Sequence, residues 1–371
     1  MTAEEGRRAG VRQVGVNSLK IGDVLEKTIY SSSGRVLLGK GVKLTPLYIS
    51  RLKDMGISAV YIEDDRYADV AVEDVISEEN RREAMQIIED CSQAVRLGKD
   101  IDGFELKSIV NKIVEQILFK KDILITMMDM RTRDNHLFAH SVNVCVLAVI
   151  LGKALRLEQD KLETLGAGAL LHDIGMVHLD STLWGRSGEL TPREIEQLKS
   201  HTTHGFEDLR KRKDISIVAA HIAFQHHENI DGTGYPRRLK EVDIHPLAQV
   251  VAVVDFFDRL TSDHSDLKKT LPHEACEILM GLAGKMFNLE MVRLFLKNVA
   301  AYPTGITVRL NTGEIGVVVD QNPSMPARPV VRVFDEPDTG EDSVASRLGL
   351  GRFKEYDMVK QRTIFIKEVL S

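Results

Sequence analysis

Cysteine is scarce in this chain: Cys91, Cys145 and Cys276 are its three, far apart and without a CxxC pair. Neither a disulfide framework nor a thiolate zinc site is indicated, so any metal must rest on nitrogen and oxygen. An excess of either charge is lacking too. A formal net charge of −6 and a pI near 6.1 argue against a surface organised around nucleic acid, while leaving room for a nucleotide ligand. Partners are expected to be small molecules or proteins. The opening MTAEEGRRAGVRQ lacks the apolar core of a secretory signal. No stretch approaches the roughly 18 apolar residues that a membrane span needs. A cytoplasmic chain with no membrane contact is expected. Histidine is absent from both flanks: all 12 lie between positions 136 and 273.

The 371 residues suit two or three domains. Short apolar runs alternate with turn signals from 14 to 63, so residues 1–76 read as a small β/α module. Its one helix is expected at TPLYISRLKDMG, with Thr45 as N-cap, Pro46 at the first helical position and Gly56 as the stop. Helical spacing of Ile87, Ile88, Cys91 and Val95, then of Ile109, Val110, Ile113 and Ile117, predicts a helical connector over 77–130. Residues 131–300 stay helical, broken by polar loops at 185–192 and 229–246. Strand patterns return in GITVRL, GEIGVVVD and PVVRVF, making 301–371 a second small β module. EPDTGEDSVASR, at 336–347, reads as a flexible loop. The fold class is α+β multidomain, an all-α centre between two β-containing modules.

The chemistry lies in the centre. His140, the pair His172-Asp173, His201, the pair His226-His227, and Asp255 each carry little alone, since a lone helical histidine is more often core or surface than ligand. Together they form a pattern. LGAGALLHDIG places His172 and Asp173 at the end of an apolar run, and an aspartate can bridge two metal ions. VVAVVDFFDRL sets Asp255 among buried positions, where a bare carboxylate costs several kcal/mol unless a cation pairs with it. His226-His227-Glu228 opens the glycine-bearing loop ENIDGTGYP, whose backbone can approach a ligand closely. Glu228 is expected to orient one of the paired histidines by hydrogen bonding.

HDIG at 172–175, HTTHG at 201–205, HHENIDGTGYP at 226–236 and VVAVVDFFDRLTS at 250–262 resemble, in order and spacing, the HD-GYP phosphodiesterase family. The likeness runs from about Arg131 to Asn298 and begins with FAHSVNVCVLAV around His140; residues 14–63 resemble the small domain often found before such domains. The resemblance implies a helical HD-superfamily fold that hydrolyses cyclic di-GMP to pGpG or GMP. It implies His140, His172, Asp173, His201, His226, His227 and Asp255 as ligands of two divalent ions, iron or manganese, with Asp173 as bridge and catalytic centre. Such ions, about 3.5–4 Å apart, polarise a phosphodiester and generate hydroxide from water. His136, four residues before His140, is a candidate ligand for a third metal. The loop residues Asp231, Gly232, Gly234, Tyr235 and Pro236 are implied to shape the site and to contact diguanylate cyclase domains; a homodimer is also open.

Three departures fall where substrate is handled. Met176 replaces the usual lysine after HDIG, Arg238 replaces a glycine, and SDHSDLKKT replaces a basic, aromatic segment. Arg186, Arg237, Arg238, Lys268 and Lys269 are candidates to restore the lost charge. A metal-loaded sensor or interaction module, and a phosphohydrolase of another cyclic dinucleotide or nucleotide, are the alternative functions.

Overall fold

The computed structural model describes residues 10–30, 36–57, 59–70, 74–120, 124, 136–180, 183, 190–262, 270–334 and 352–370, apart from the side chain of His136. Arg186, the segment 263–269 and the loop at 336–347 lie outside the described residues.

Strands β1 (Val11–Gly15) and β4 (Ala59–Glu63) pair antiparallel, as do β2 (Ile29–Tyr30) and β3 (Val36–Leu38). Between β3 and β4, helix α1 (Pro46–Asp54) starts where its sequence signals predict: the Thr45 hydroxyl accepts from the Tyr48 backbone N–H at 3.3 Å. It ends at Gly56, whose φ of 74° is left-handed and suits a residue without a β-carbon.

Helices α2 (Glu78–Arg96) and α3 (Gly103–Phe119) are capped by Ser77 and Asp102. They do more than connect. Their apolar faces share one continuous core with the central helices, extending from Ile76 to Val299. The core therefore begins well before the expected boundary at 131, because an amphipathic helix must bury its apolar stripe against something.

The central helices are α4 (His136–Ala154), α5 (Gln159–Leu170), α6 (Pro192–Lys199), α7 (His201–Leu209), α8 (Ile217–Gln225), α9 (Pro246–Thr261), α10 (Pro272–Leu282) and α11 (Leu289–Leu296). α4 packs on α5 and α9, and α8 packs on α5, α7 and α9. The expectation that no stretch approaches a membrane-spanning length needs correcting. Leu137–Ala154 has 18 residues of mean hydropathy 1.8, and 67% of that span is buried inside the protein. It is apolar all round because the core surrounds it.

The C-terminal strands β5 (Thr307–Leu310), β6 (Ile315–Asp320), β7 (Val330–Phe334), β8 (Phe353–Asp357) and β9 (Ile366–Leu370) form an antiparallel sheet in the order β8-β7-β6-β5-β9. This sheet meets the N-terminal module. The Gln13 backbone N–H donates to Gly305 O at 2.9 Å, Tyr67 and Val70 pack with Val317, and Arg332 grips Asp69 at 2.6 Å. The two flanking modules thus contact each other as well as bracketing the helices in sequence.

Candidate metal centre

Four helices and one turn bring the seven predicted ligands together. His140 comes from α4, His172 and Asp173 from the turn after α5, His201 from the start of α7, His226 and His227 from the end of α8, and Asp255 from α9. Close backbone packing sets this convergence. A β-carbon on Gly175 would lie 2.0 Å from His201 O and 2.4 Å from Gly205 N, so α7 rests directly on the HDIG turn. That approach explains the glycine of HDIG, whereas a β-carbon on Gly205 would meet only ordinary contacts, at 3.4 Å and beyond.

The imidazoles are aimed by their outer nitrogens. Nδ1 of His172 lies 2.8 Å from Ala169 O, Nδ1 of His201 2.6 Å from Leu198 O, and Nδ1 of His226 2.9 Å from Ala223 O. A carbonyl only accepts, so each Nδ1 carries a proton and each Nε2 points inward. His140 follows the same rule through a carboxylate, with Nδ1 2.7 Å from Asp258 Oδ2. The inward atoms meet in pairs: His140 and His172 Nε2 are 3.3 Å apart, as are His201 and His226 Nε2.

Asp173 lies between the pairs. Its Oδ1 is 3.2 Å from His201 Nε2 and 3.5 Å from His226 Nε2; its Oδ2 is 3.4 Å from His172 Nε2 and 3.7 Å from His140 Nε2. Asp255 Oδ1 sits 3.0 Å from His140 Nε2. Burial by itself raises both carboxyls, yet the surrounding imidazoles and Arg259 hold Asp173 and Asp255 well below the usual carboxylate range. His227 is driven well below the usual imidazole range by burial, then by His226 and Arg259.

The donor set fits divalent cations. Asp173 Oδ1 is buried and makes no hydrogen bond among the described residues. Facing lone pairs at 3.3 Å repel unless a proton or cation lies between them. The ligand atoms fall into two groups, Asp173-His201-His226-His227 and His140-His172-Asp255, each within 4.8 Å. Nitrogen and carboxylate donors suit borderline divalent metals. The thiols take no part: burial pushes Cys91, Cys145 and Cys276 up to about 12.

A family profile described as "HD domain" matches residues 113–290, and one described as "KOW domain associated with HD domain" matches 307–371. The chain is 33% identical over 239 residues to a cyclic di-GMP phosphodiesterase of Pseudomonas aeruginosa, covering 64% of this chain and 58% of that protein. The centre is thus similar to an HD domain over residues 113–290. A cyclic di-GMP phosphodiesterase of Thermotoga maritima is 34% identical over 184 residues, or 49% of this chain and 50% of the relative. The chain thus spans between half and three-fifths of the length of these relatives. An HDG"Y"P protein from Bdellovibrio bacteriovorus aligns in structure with a TM-score of 0.47 and 21% identity, covering 77% of this chain and 98% of that one.

The loop ENIDGTGYP differs from expectation in one respect. Glu228 does not orient a paired histidine. Its carboxylate accepts from the backbone N–H groups of Arg237, at 2.7 Å, and Leu239, at 2.9 Å, which would otherwise be unpaired near a 2% exposed side chain. Glu228 therefore staples the two ends of the loop. Asp231 accepts from Thr233 N at 2.9 Å to make the turn, Gly232 takes a φ of 82°, and a β-carbon on Gly234 would lie 2.3 Å from Asn229 N. Tyr235 stacks on His227, with ring centroids 4.7 Å apart, while Pro236, Arg237 and Arg238 are exposed. Arg238 has a φ of 56°, the left-handed conformation that accounts for a glycine at this position. His204 faces His178 at 5.2 Å rather than the cluster, and Met176 lies half-buried in the 3-10 turn Ile174–His178.

Sequence reading missed two charged residues. Asp258 is fully buried and orients His140, and it also accepts from Asn143 Nδ2 at 3.2 Å, which is itself held by Arg81 of α2 at 2.8 Å. Arg259 donates from Nε to Asp255 Oδ1 at 2.9 Å and lies, through Nη2, 3.0 Å from His227 Nε2. The available signal was their spacing: positions three and four after Asp255 share its helix face.

Proposed function

We propose that this protein is a metal-dependent phosphodiesterase that hydrolyses cyclic di-GMP to pGpG or GMP. The observation that carries the reading is Asp173, whose two oxygens each face two imidazoles and one of which has no hydrogen bond among the described residues. His140, His172, His201, His226, His227 and Asp255 would complete the holding of two divalent ions, iron or manganese, with Asp173 between them. Such ions supply Lewis acidity toward a phosphodiester oxygen and lower the pKa of water.

The chain's own residues do the positioning. Asp258 fixes the tautomer and direction of His140, the carbonyls of Ala169, Leu198 and Ala223 fix three more imidazoles, and Tyr235 buttresses His227. Glu228 holds the loop that carries Tyr235. The exposed Arg237 and Arg238 put positive charge on that loop, where an acidic protein partner such as a cyclase domain would meet it. His136 as a third-metal ligand is left aside, and a two-ion site is the reading retained.

The substrate assignment draws on the two cyclic di-GMP phosphodiesterases matched above. A metal-loaded module without turnover is the second reading, favoured by Met176, which brings no charge to the HDIG turn. Anaerobic purification, iron or manganese loading and incubation with cyclic di-GMP separates the two. Appearance of pGpG or GMP supports the first; metal uptake without either product supports the second.

A further inference from the structure

Arg259 stands one turn after Asp255 on α9 with its guanidinium against the cluster. Nε lies 2.9 Å from Asp255 Oδ1, and Nη2 lies 3.0 Å from His227 Nε2 and 4.0 Å from Asp173 Oδ2. The side chains it touches are closed off, at 3% exposed for Asp255, 6% for Asp173 and 11% for His227, whereas its own is 37% exposed. Arg259 thus touches the closed-off cluster while being itself partly open to solvent, which places it at the mouth. Only Nε and Nη2 are engaged; Nη1 makes no hydrogen bond among the described residues. With five N–H donors in a planar fork, the group keeps donors for an anion while two protein contacts fix its plane.

Other described cations near the mouth are less well placed. Arg237 and Arg238 are exposed and form no ion pair with the cluster, and Lys199 is paired with Glu196 at 2.8 Å while lying over Tyr235. A phosphodiester carries one negative charge on its non-bridging oxygens, the acceptor geometry an arginine fork matches.

We propose that Arg259 is a substrate-binding residue that grips a non-bridging oxygen of the scissile phosphodiester and sets it over the Asp173-Asp255 cluster. This rests on reading the cluster as a phosphodiesterase site. Asp255 and His227 then have a second task, holding the guanidinium in plane.

The test uses the full chain loaded anaerobically with manganese, as wild type, Arg259→Met and Arg259→Lys. Three quantities are measured: manganese per chain, calorimetric affinity for pGpG, and KM for cyclic di-GMP and for bis(p-nitrophenyl) phosphate. Loss of a charge-assisted contact is expected to weaken pGpG binding and raise KM by about 10- to 100-fold in Arg259→Met at unchanged manganese content. The lysine variant, having charge without the fork, is expected to fall between. Unchanged affinity and KM at normal metal content overturns the proposal. So does a rise in manganese content without an affinity change, which would make Arg259 a competitor for the ligands, and so does loss of manganese from both variants. If wild type cleaves bis(p-nitrophenyl) phosphate but ignores cyclic di-GMP, the nucleotide assignment fails and the arginine is judged on the simpler diester. If it cleaves neither, pGpG affinity still decides the role of Arg259.

Discussion

Two buried polar assemblies join distant parts of this chain, and they follow opposite rules. Where the flanking modules meet, Arg332 is 6% exposed on its side chain and gives its donors to Asp69 and Glu355 in four contacts of 2.6–2.9 Å, with its guanidinium 4.4 Å over Phe353. That arginine is satisfied. In the helical centre, imidazole Nε2 atoms face each other at 3.3 Å and Asp173 Oδ1 has no hydrogen bond among the described residues. A buried polar group with all its partners fastens a fold; a buried carboxylate oxygen without one, set among imidazoles, is where a cation fits.

The comparison is broken most severely at Asp173. On the proposed function, Asp173→Ala is expected to lower cyclic di-GMP turnover by about a thousandfold or more and to cut bound metal, because it removes the carboxylate whose oxygens face both imidazole pairs. Normal metal content in that variant would make the cluster an ordinary polar core. Asp258→Asn sharpens the contrast one step outward. It keeps shape but weakens the acceptor on His140 Nδ1, and metal affinity read by competition with a chelator is expected to fall about 10- to 100-fold.

Acid and base act on the metal-free protein in opposite directions. Burial lowers His172, but Asp173 and Asp255 outweigh it and carry the imidazole up to about 10. Relative to an unfolded value near about 6.5, its contribution is full below that pH and is lost as pH rises toward 10. His226 is pushed down to about 4 by burial, which outweighs the opposing hydrogen bond and charge of Asp173. Its contribution is present above the unfolded value and is lost as pH falls toward 4. The Tm of metal-free protein is therefore expected to peak near neutrality and decline on both sides, and a flat profile would remove these imidazoles from the balance.

Arg332→Met tests the satisfied assembly. With Asp69 and Glu355 themselves largely exposed, the loss is expected to be about 1–2 kcal/mol, seen as a lower denaturation midpoint with metal content unchanged. Arg238→Gly is the smallest change. Relief of left-handed backbone strain, partly offset by glycine's extra unfolded-state entropy, is expected to stabilise by about 0.5 kcal/mol.

The seven residues that converge in the structure were legible through four motifs whose order resembles the HD-GYP family, and Thr45 and Gly56 marked α1 through local backbone chemistry. What escaped depends on tertiary partners. Periodicity showed that α2 and α3 have apolar faces but not that those faces enter the central core. Asp258 and Arg259 share a helix face with Asp255, yet nothing in VVDFFDRL tells that one turns to His140 and the other to the mouth. The Arg332-Asp69 pair spans 263 residues, beyond the reach of any local pattern. Glu228 was placed near the right histidines but given the wrong partner, since loop backbone groups compete for a carboxylate as effectively as an imidazole does.

The central claim is that Asp173 sits between two metal positions. Electron paramagnetic resonance of the anaerobically manganese-loaded protein tests it most directly. A carboxylate shared by two Mn(II) ions couples their spins, so the account predicts an exchange-coupled spectrum that collapses to that of isolated ions in Asp173→Ala. An isolated-ion spectrum from the fully loaded wild-type protein would contradict it.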